Sequence, residues 1–75
     1  SPRADAVVAV QGGVLGEFRG RPGTYRAGRL PAGTYEIRGF FDGAWVVQPD
    51  ALYVTPGEQV TVKCSNALMK CWVVK

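Results

Sequence analysis

A small all-β protein, an antiparallel β-sandwich of about seven short strands ending in a hairpin closed by a disulfide, is what this 75-residue sequence predicts. Three observations lead there. Ten glycines and five prolines are spread through the chain as single residues and short pairs, so they punctuate short segments instead of forming one linker. The segments between them are rich in β-branched and aromatic residues. No window repeats apolar residues at i, i+3, i+4 and i+7 for even three turns, so almost no helix is expected. With 47% hydrophobic and 20% charged residues, the composition is that of one globular domain over residues 1–75. No apolar run is long enough to span a bilayer. The start at Ser1-Pro2-Arg3 lacks an initiator Met and a signal-peptide pattern, so the domain is expected to come from a larger protein.

In chain order the strand candidates are residues 6–10, 14–18, 34–41, 44–47, 52–55, 60–65 and 71–75. Gln11-Gly12-Gly13 and Leu30-Pro31-Ala32-Gly33 supply turn chemistry between them. Asp42-Gly43 accepts the positive φ of a type I′ turn, which predicts an antiparallel hairpin of 34–41 with 44–47. Pro56-Gly57 suits the two central positions of a type II turn, which predicts a second hairpin of 52–55 with 60–62. Gly-Thr-Tyr occurs at both 23–25 and 33–35, each time closely after a proline. That spacing is too short for a solenoid unit and reads as recurrent turn-into-strand grammar.

Alternation assigns faces, because residues i and i+2 share a side of a sheet. Tyr35, Ile37 and Phe41 are expected inside, with Glu36 and Arg38 in water. Val60, Val62 and Cys64 point in, while Thr61 and Lys63 point out.

Cys64 and Cys71, separated by six residues, fit neither a zinc knuckle nor a redox dithiol, and the chain has no histidine to complete a metal site. A disulfide is the economical reading. Placing Cys64 opposite Cys71 in an antiparallel hairpin also sets Val62 opposite Val73, so the register is self-consistent. Closing so short a loop stabilises a fold by roughly 2–3 kcal/mol in the chain-entropy model, and the bond implies an oxidising compartment. The alternative is a pair of buried free thiols in a cytosolic protein.

Leu30-Pro31-Ala32-Gly33-Thr34-Tyr35-Glu36-Ile37-Arg38, followed by Val54-Thr55-Pro56-Gly57-Glu58-Gln59-Val60-Thr61-Val62, resembles the second half of a PEGA domain. The family's pattern is strand, Gly turn, strand, a Leu-Pro-Gly lead into a long strand, and a Pro-Gly turn into a last strand. The resemblance covers about residues 30–63. Gly12-Gly13-Val14 stands where the family has its Pro-Glu-Gly-Ala turn, and residues 64–75 lie outside the pattern. The resemblance implies a transthyretin-like sandwich and a bacterial, envelope-associated module appended to kinases, lipoproteins or surface proteins. It also implies no set of catalytic residues.

Two constellations are candidates for binding. Residues 18–29 hold Arg19, Arg21, Arg26 and Arg29 with Tyr25 and no acid, so most of the net +3 charge originates there. Arginine forks pair with phosphate or carboxylate and a tyrosine can stack on bases or sugars, although a Gly-rich connection is also normally solvated. The second constellation is Trp45 and Trp72, with Tyr53 and Phe40 as outward neighbours. One tryptophan is expected in the core. Trp72, between inward Cys71 and Val73, is expected to face out beside Lys63 as an interface anchor.

No nucleophile, base and orienter can be assembled without histidine, with Ser1 and Ser65 the only serines and with the six acids scattered. No enzyme, cofactor or metal site is therefore expected. The leading expectation is a non-catalytic, extracytoplasmic (periplasmic or cell-surface) interaction module. Its partner would be a protein or cell-wall polymer, and it could form the outer sensory part of a membrane protein or kinase. The alternatives are a basic nucleic-acid-binding domain using Arg19 to Arg29 and a structural module that self-associates through edge strands into a homo-oligomer.

Overall fold

The computed structural model describes residues 4–74; the expected Ser1-Pro2-Arg3 start and Lys75, the last residue of the expected final strand, lie outside them. The described residues form eight strands and no helix: β1 (Ala6–Gln11), β2 (Gly16–Gly20), β3 (Gly23–Tyr25), β4 (Gly28–Leu30), β5 (Gly33–Phe41), β6 (Ala44–Val54), β7 (Gln59–Ser65) and β8 (Lys70–Val74). They make two four-stranded sheets. Sheet A has the order β4-β1-β7-β8 and sheet B the order β3-β2-β5-β6.

The count differs from seven for two reasons. Residues 18–29, read as a connection, contain the short edge strands β3 and β4, which pair with β2 and β1. Residues 44–47 and 52–55, read as separate runs, are the two halves of β6. Glu36 stands opposite Ala51 and Arg38 opposite Val47, so Gln48, Pro49 and Asp50 together oppose Ile37 in a wide bulge. A bulge on an edge strand tolerates Pro49, which has no N–H to give the ladder.

The Asp42-Gly43 hairpin forms as expected. Asp42 and Gly43 have φ of 50° and 80°, matching a type I′ turn, and Phe41 faces Ala44 across it. The Pro56-Gly57 turn also forms. The Glu58 N–H donates to the Thr55 carbonyl at 3.1 Å, and the Glu58 carboxylate accepts from the Thr55 N–H at 2.9 Å. It does not make the expected hairpin of 52–55 with 60–62. The chain crosses to the other sheet there, and β7 pairs with β1, in parallel, with Val8 opposite Val60 and Val10 opposite Val62. Leu52, Val54, Val60 and Val62 are all buried, and crossing lets the two pairs face each other over the core instead of lining one sheet. The sandwich is thus antiparallel except at β1–β7.

The predicted inward positions Tyr35, Ile37, Phe41, Val60, Val62 and Cys64 are all buried, and they meet Phe18, Leu30 and Leu52 between the sheets. Full burial of a large aliphatic side chain or Phe stabilises by roughly 1.5–3 kcal/mol. Both tyrosines of the repeated triplet enter the same arrangement. The Tyr35 hydroxyl donates to the Pro31 carbonyl and the Tyr25 hydroxyl to that of Pro22, while the rings meet edge to face at 6.0 Å. Each hydroxyl therefore ties its strand to the corner that precedes it.

The β1–β2 crossing is as tight. Gly12 has φ of 119°, and a methyl group there would lie 1.9 Å from the Cys64 carbonyl oxygen. Gly12→Ala is expected to cost about 2 kcal/mol or more, because strain at positive φ adds to a backbone displacement. A urea midpoint equal to wild type would refute this.

Burial, with Tyr25 and then Asp5 adding to it, raises the Tyr35 pKa above its ordinary 10.0. Because the folded value is the raised one, the unfolded chain ionises first. The stability contributed by neutral Tyr35 is complete below the unfolded value and is lost as pH rises through the folded one. Urea midpoints should fall from about pH 10 upward. Tyr35→Phe should lower the unfolding free energy at neutral pH by about 1 kcal/mol, through loss of the Pro31 hydrogen bond, and flatten the alkaline decline.

Candidate functional site

The arginines of residues 18–29 are dispersed by the fold. Arg19 lies on the outer face of sheet B opposite Glu36 and Thr24, and Arg29 lies on sheet A opposite Val7. Arg21 occupies the β2–β3 turn. Tyr25 is half-buried against the core, so its ring is engaged with Tyr35. Only Arg26 joins another candidate, with its guanidinium carbon 5.2 Å from the centre of the Trp45 ring.

Both tryptophans are partly exposed, Trp45 at 38% and Trp72 at 42%, so the expectation of one in the core is corrected. The reason is register. Cross-strand partners share a face, Phe41 points into the core, and Trp45 is opposite Phe40, whose ring it meets at 5.1 Å on the outer face of sheet B. Trp72 is outside as predicted, opposite Lys63 on the outer face of sheet A.

Cys64 and Cys71 form the disulfide, and their pairing brings Val62 opposite Val73 as the sequence implied. The bond fits an oxidising environment. The Cα atoms of the two cysteines are 4.0 Å apart, the close approach of a non-hydrogen-bonded pair, so the Cys71 backbone groups point away from β7. Val73, two residues on, points its own N–H and C=O the same way.

That outward direction is the open side of the sandwich, where the edge strands β6 and β8 belong to different sheets. Gln48, from the β6 bulge, is 5% exposed and bridges the gap. Its Oε1 accepts from the Cys71 N–H at 2.8 Å, and its Nε2 donates to the carbonyls of Val46 at 3.3 Å and Met69 at 3.4 Å. Sequence reading missed Gln48; the signal was its place beside Pro49 between two strand-like runs.

Beyond Gln48 the edges diverge around a groove of about 600 Å³ lined by Pro49, Asp50, Leu52, Tyr53, Trp72 and Val73. It continues past Val74 toward Glu58 and Gln59. Tyr53 is well exposed on its rim.

Among the described residues no three His, Cys, Asp or Glu side chains gather in one place, and no helix is long and apolar enough to cross a membrane. No protein-family model, curated protein or solved structure matches the chain.

Replacing Gln48 by Leu should strand the buried Cys71 N–H and cost about 1–3 kcal/mol. Hydrogen exchange should speed up at Cys71 ahead of the β1 and β7 amides. Unchanged exchange and an unchanged urea midpoint would show that Gln48 does not tie the sheets.

Proposed function

We propose that this chain is a non-catalytic interaction module of an exported protein, of the kind implied by its resemblance to PEGA domains, and that it takes an extended partner along its open side. The observation that carries the reading is the groove between β6 and β8. Tyr53 and Trp72 flank it, and Val73 directs backbone N–H and C=O groups toward it. An extended protein segment could add to the β8 edge through main-chain hydrogen bonds while its side chains lie against Tyr53 and Trp72. A polymer of the cell envelope would use the same two aromatic rings as stacking platforms. The disulfide supports a periplasmic or cell-surface setting. Gln48 occupies the Cys71 N–H, so strand addition on the described part of β8 uses the backbone groups of Val73.

Soluble peptidoglycan fragments and extended peptides, offered separately to isotope-labelled protein, test this reading. Amide shifts should centre on Val73 and Val74 and be accompanied by a change in Trp72 emission. Tyr53→Ala should weaken binding about tenfold. If neither ligand class perturbs β8, or if Tyr53→Ala leaves affinity intact, the groove is not the binding site.

A further inference from the structure

At the end of the sandwich away from Tyr53, three connections come together. β1 runs parallel to β7 with Gln11 opposite Lys63, and β2 starts opposite Gly39 near the end of β5. The β1–β2 connection, the Asp42-Gly43 turn and the β7–β8 loop are therefore neighbours. The Phe40 N–H donates to the Leu15 carbonyl at 2.9 Å, which ties the β1–β2 connection to the end of β5, and the Met69 carbonyl accepts from Gln48 of the β6 bulge. The side chains presented there are apolar, with Leu15 56%, Leu68 64% and Met69 42% exposed.

These side chains are held out by built turns. The Cys64–Cys71 disulfide closes the root of the β7–β8 loop. The Leu68 N–H donates to Ser65 Oγ at 3.3 Å, and the Met69 N–H to the Asn66 carbonyl at 3.3 Å. Met69 itself is held at φ of 53°, a left-handed conformation that costs a non-glycine residue free energy. The turn that closes the hairpin thus leaves Leu68 and Met69 side by side in water.

The flanks narrow what that is. Trp45 and Trp72 stand on opposite outer faces of the two-layer sandwich, both close to this end. Residues 59–74 contain Lys63 and Lys70 and no acid. Arg26 lies over Trp45. The acids nearby are Asp42, in the hairpin turn, and Glu17, which sits opposite Arg38. A protein pocket would contact one flank. Exposed apolar side chains at one end of the sandwich, with a tryptophan on each outer face and a surplus of cations, match a planar boundary between lipid chains and anionic headgroups, where Trp rings and lysines settle at headgroup level.

We propose that this end of the domain inserts Leu15, Leu68 and Met69 into the interface of a membrane carrying anionic lipid, with Lys63, Lys70 and Arg26 on the headgroups. The proposal rests on the interaction-module reading but uses the end of the sandwich remote from Tyr53.

Cosedimentation of the oxidised protein with vesicles of phosphatidylcholine plus phosphatidylglycerol, and of phosphatidylcholine alone, is the test. Binding to the anionic vesicles should weaken with salt and come with a blue shift of tryptophan emission. Leu68→Ser with Met69→Ser should reduce it roughly tenfold or more, and Lys63→Gln with Lys70→Gln about tenfold. These side chains are exposed, so an unchanged urea midpoint verifies the fold of each variant. Tyr53→Ala should leave vesicle binding intact, which separates failure at this end from failure of the groove. Absence of binding, equal binding to phosphatidylcholine alone, or indifference to the Leu68/Met69 change would each overturn the proposal. A concentration-dependent mass that disappears in the Leu68/Met69 variant without vesicle binding would also overturn it, assigning the end to a second copy of the chain.

Discussion

The Cys64–Cys71 pair is the point on which strands of both sheets converge. It fixes β7 against β8, which turns Val62 and Val73 inward and Trp72 and Lys63 outward. The carbonyl of Cys64 fills the space that a side chain on Gly12 would need, so the exit from β1 is set by the same residue. On the other side, a Cβ on Gly39 would come within 3.1 Å of Cys71 Sγ, so β5 lies directly against the bond. The Cys71 N–H then reaches Gln48 and the β6 edge. Covalent closure of one hairpin thus becomes a fixed point for strands of both sheets, in a chain too short to hold them by apolar burial alone.

The distribution of aromatic residues follows from that economy. Phe18, Tyr35 and Phe41 fill the space between the sheets. Neither tryptophan is recruited to the core, and Phe40 packs on Trp45 outside it. A small domain that leaves its two largest side chains on its surface spends apolar area that burial could have used for stability. The surface so made is divided between the β6–β8 side, which carries the Gln48–Asp50 bulge, and the loop end, which carries the left-handed Met69.

Much of this was legible in the sequence. Strict alternation from Tyr35 to Phe41 and from Val60 to Cys64 gave the buried rows, and Asp42-Gly43 gave a turn and a register because its backbone preference is local. The cysteine spacing gave the β7–β8 pairing and, through it, the exposure of Trp72. The position of Trp45 could have been read in the same way, by counting outward from the Asp42-Gly43 turn. What escaped was non-local. A Pro-Gly turn looks the same whether the next strand pairs with its neighbour or crosses the core, and nothing between Thr55 and Gln59 names β1 as the partner of β7. The arginines of residues 18–29 form a cluster along the chain, yet successive strands carry Arg19 and Arg29 to different sheets. Gln48 gave no periodic signal because its role depends on Cys71, far along the chain.

The parallel pairing of β1 with β7 also orders the assembly of the chain. Val7 must find Gln59 and Val8 must find Val60, across most of the sequence, before β1 has a partner on each side. Contacts of such separation form slowly, because the intervening loop must be closed first. Residues 16–54 contain every strand of sheet B, while β1 has only the three-residue β4 beside it until β7 pairs. Until β7 pairs, the other edge of β1 has no partner. The β7–β8 hairpin, by contrast, is local, and its cysteines can meet without the rest. Closing the hairpin by oxidation therefore requires no contact with the first strand, whereas the β1–β7 ladder requires two strands from far apart in the chain.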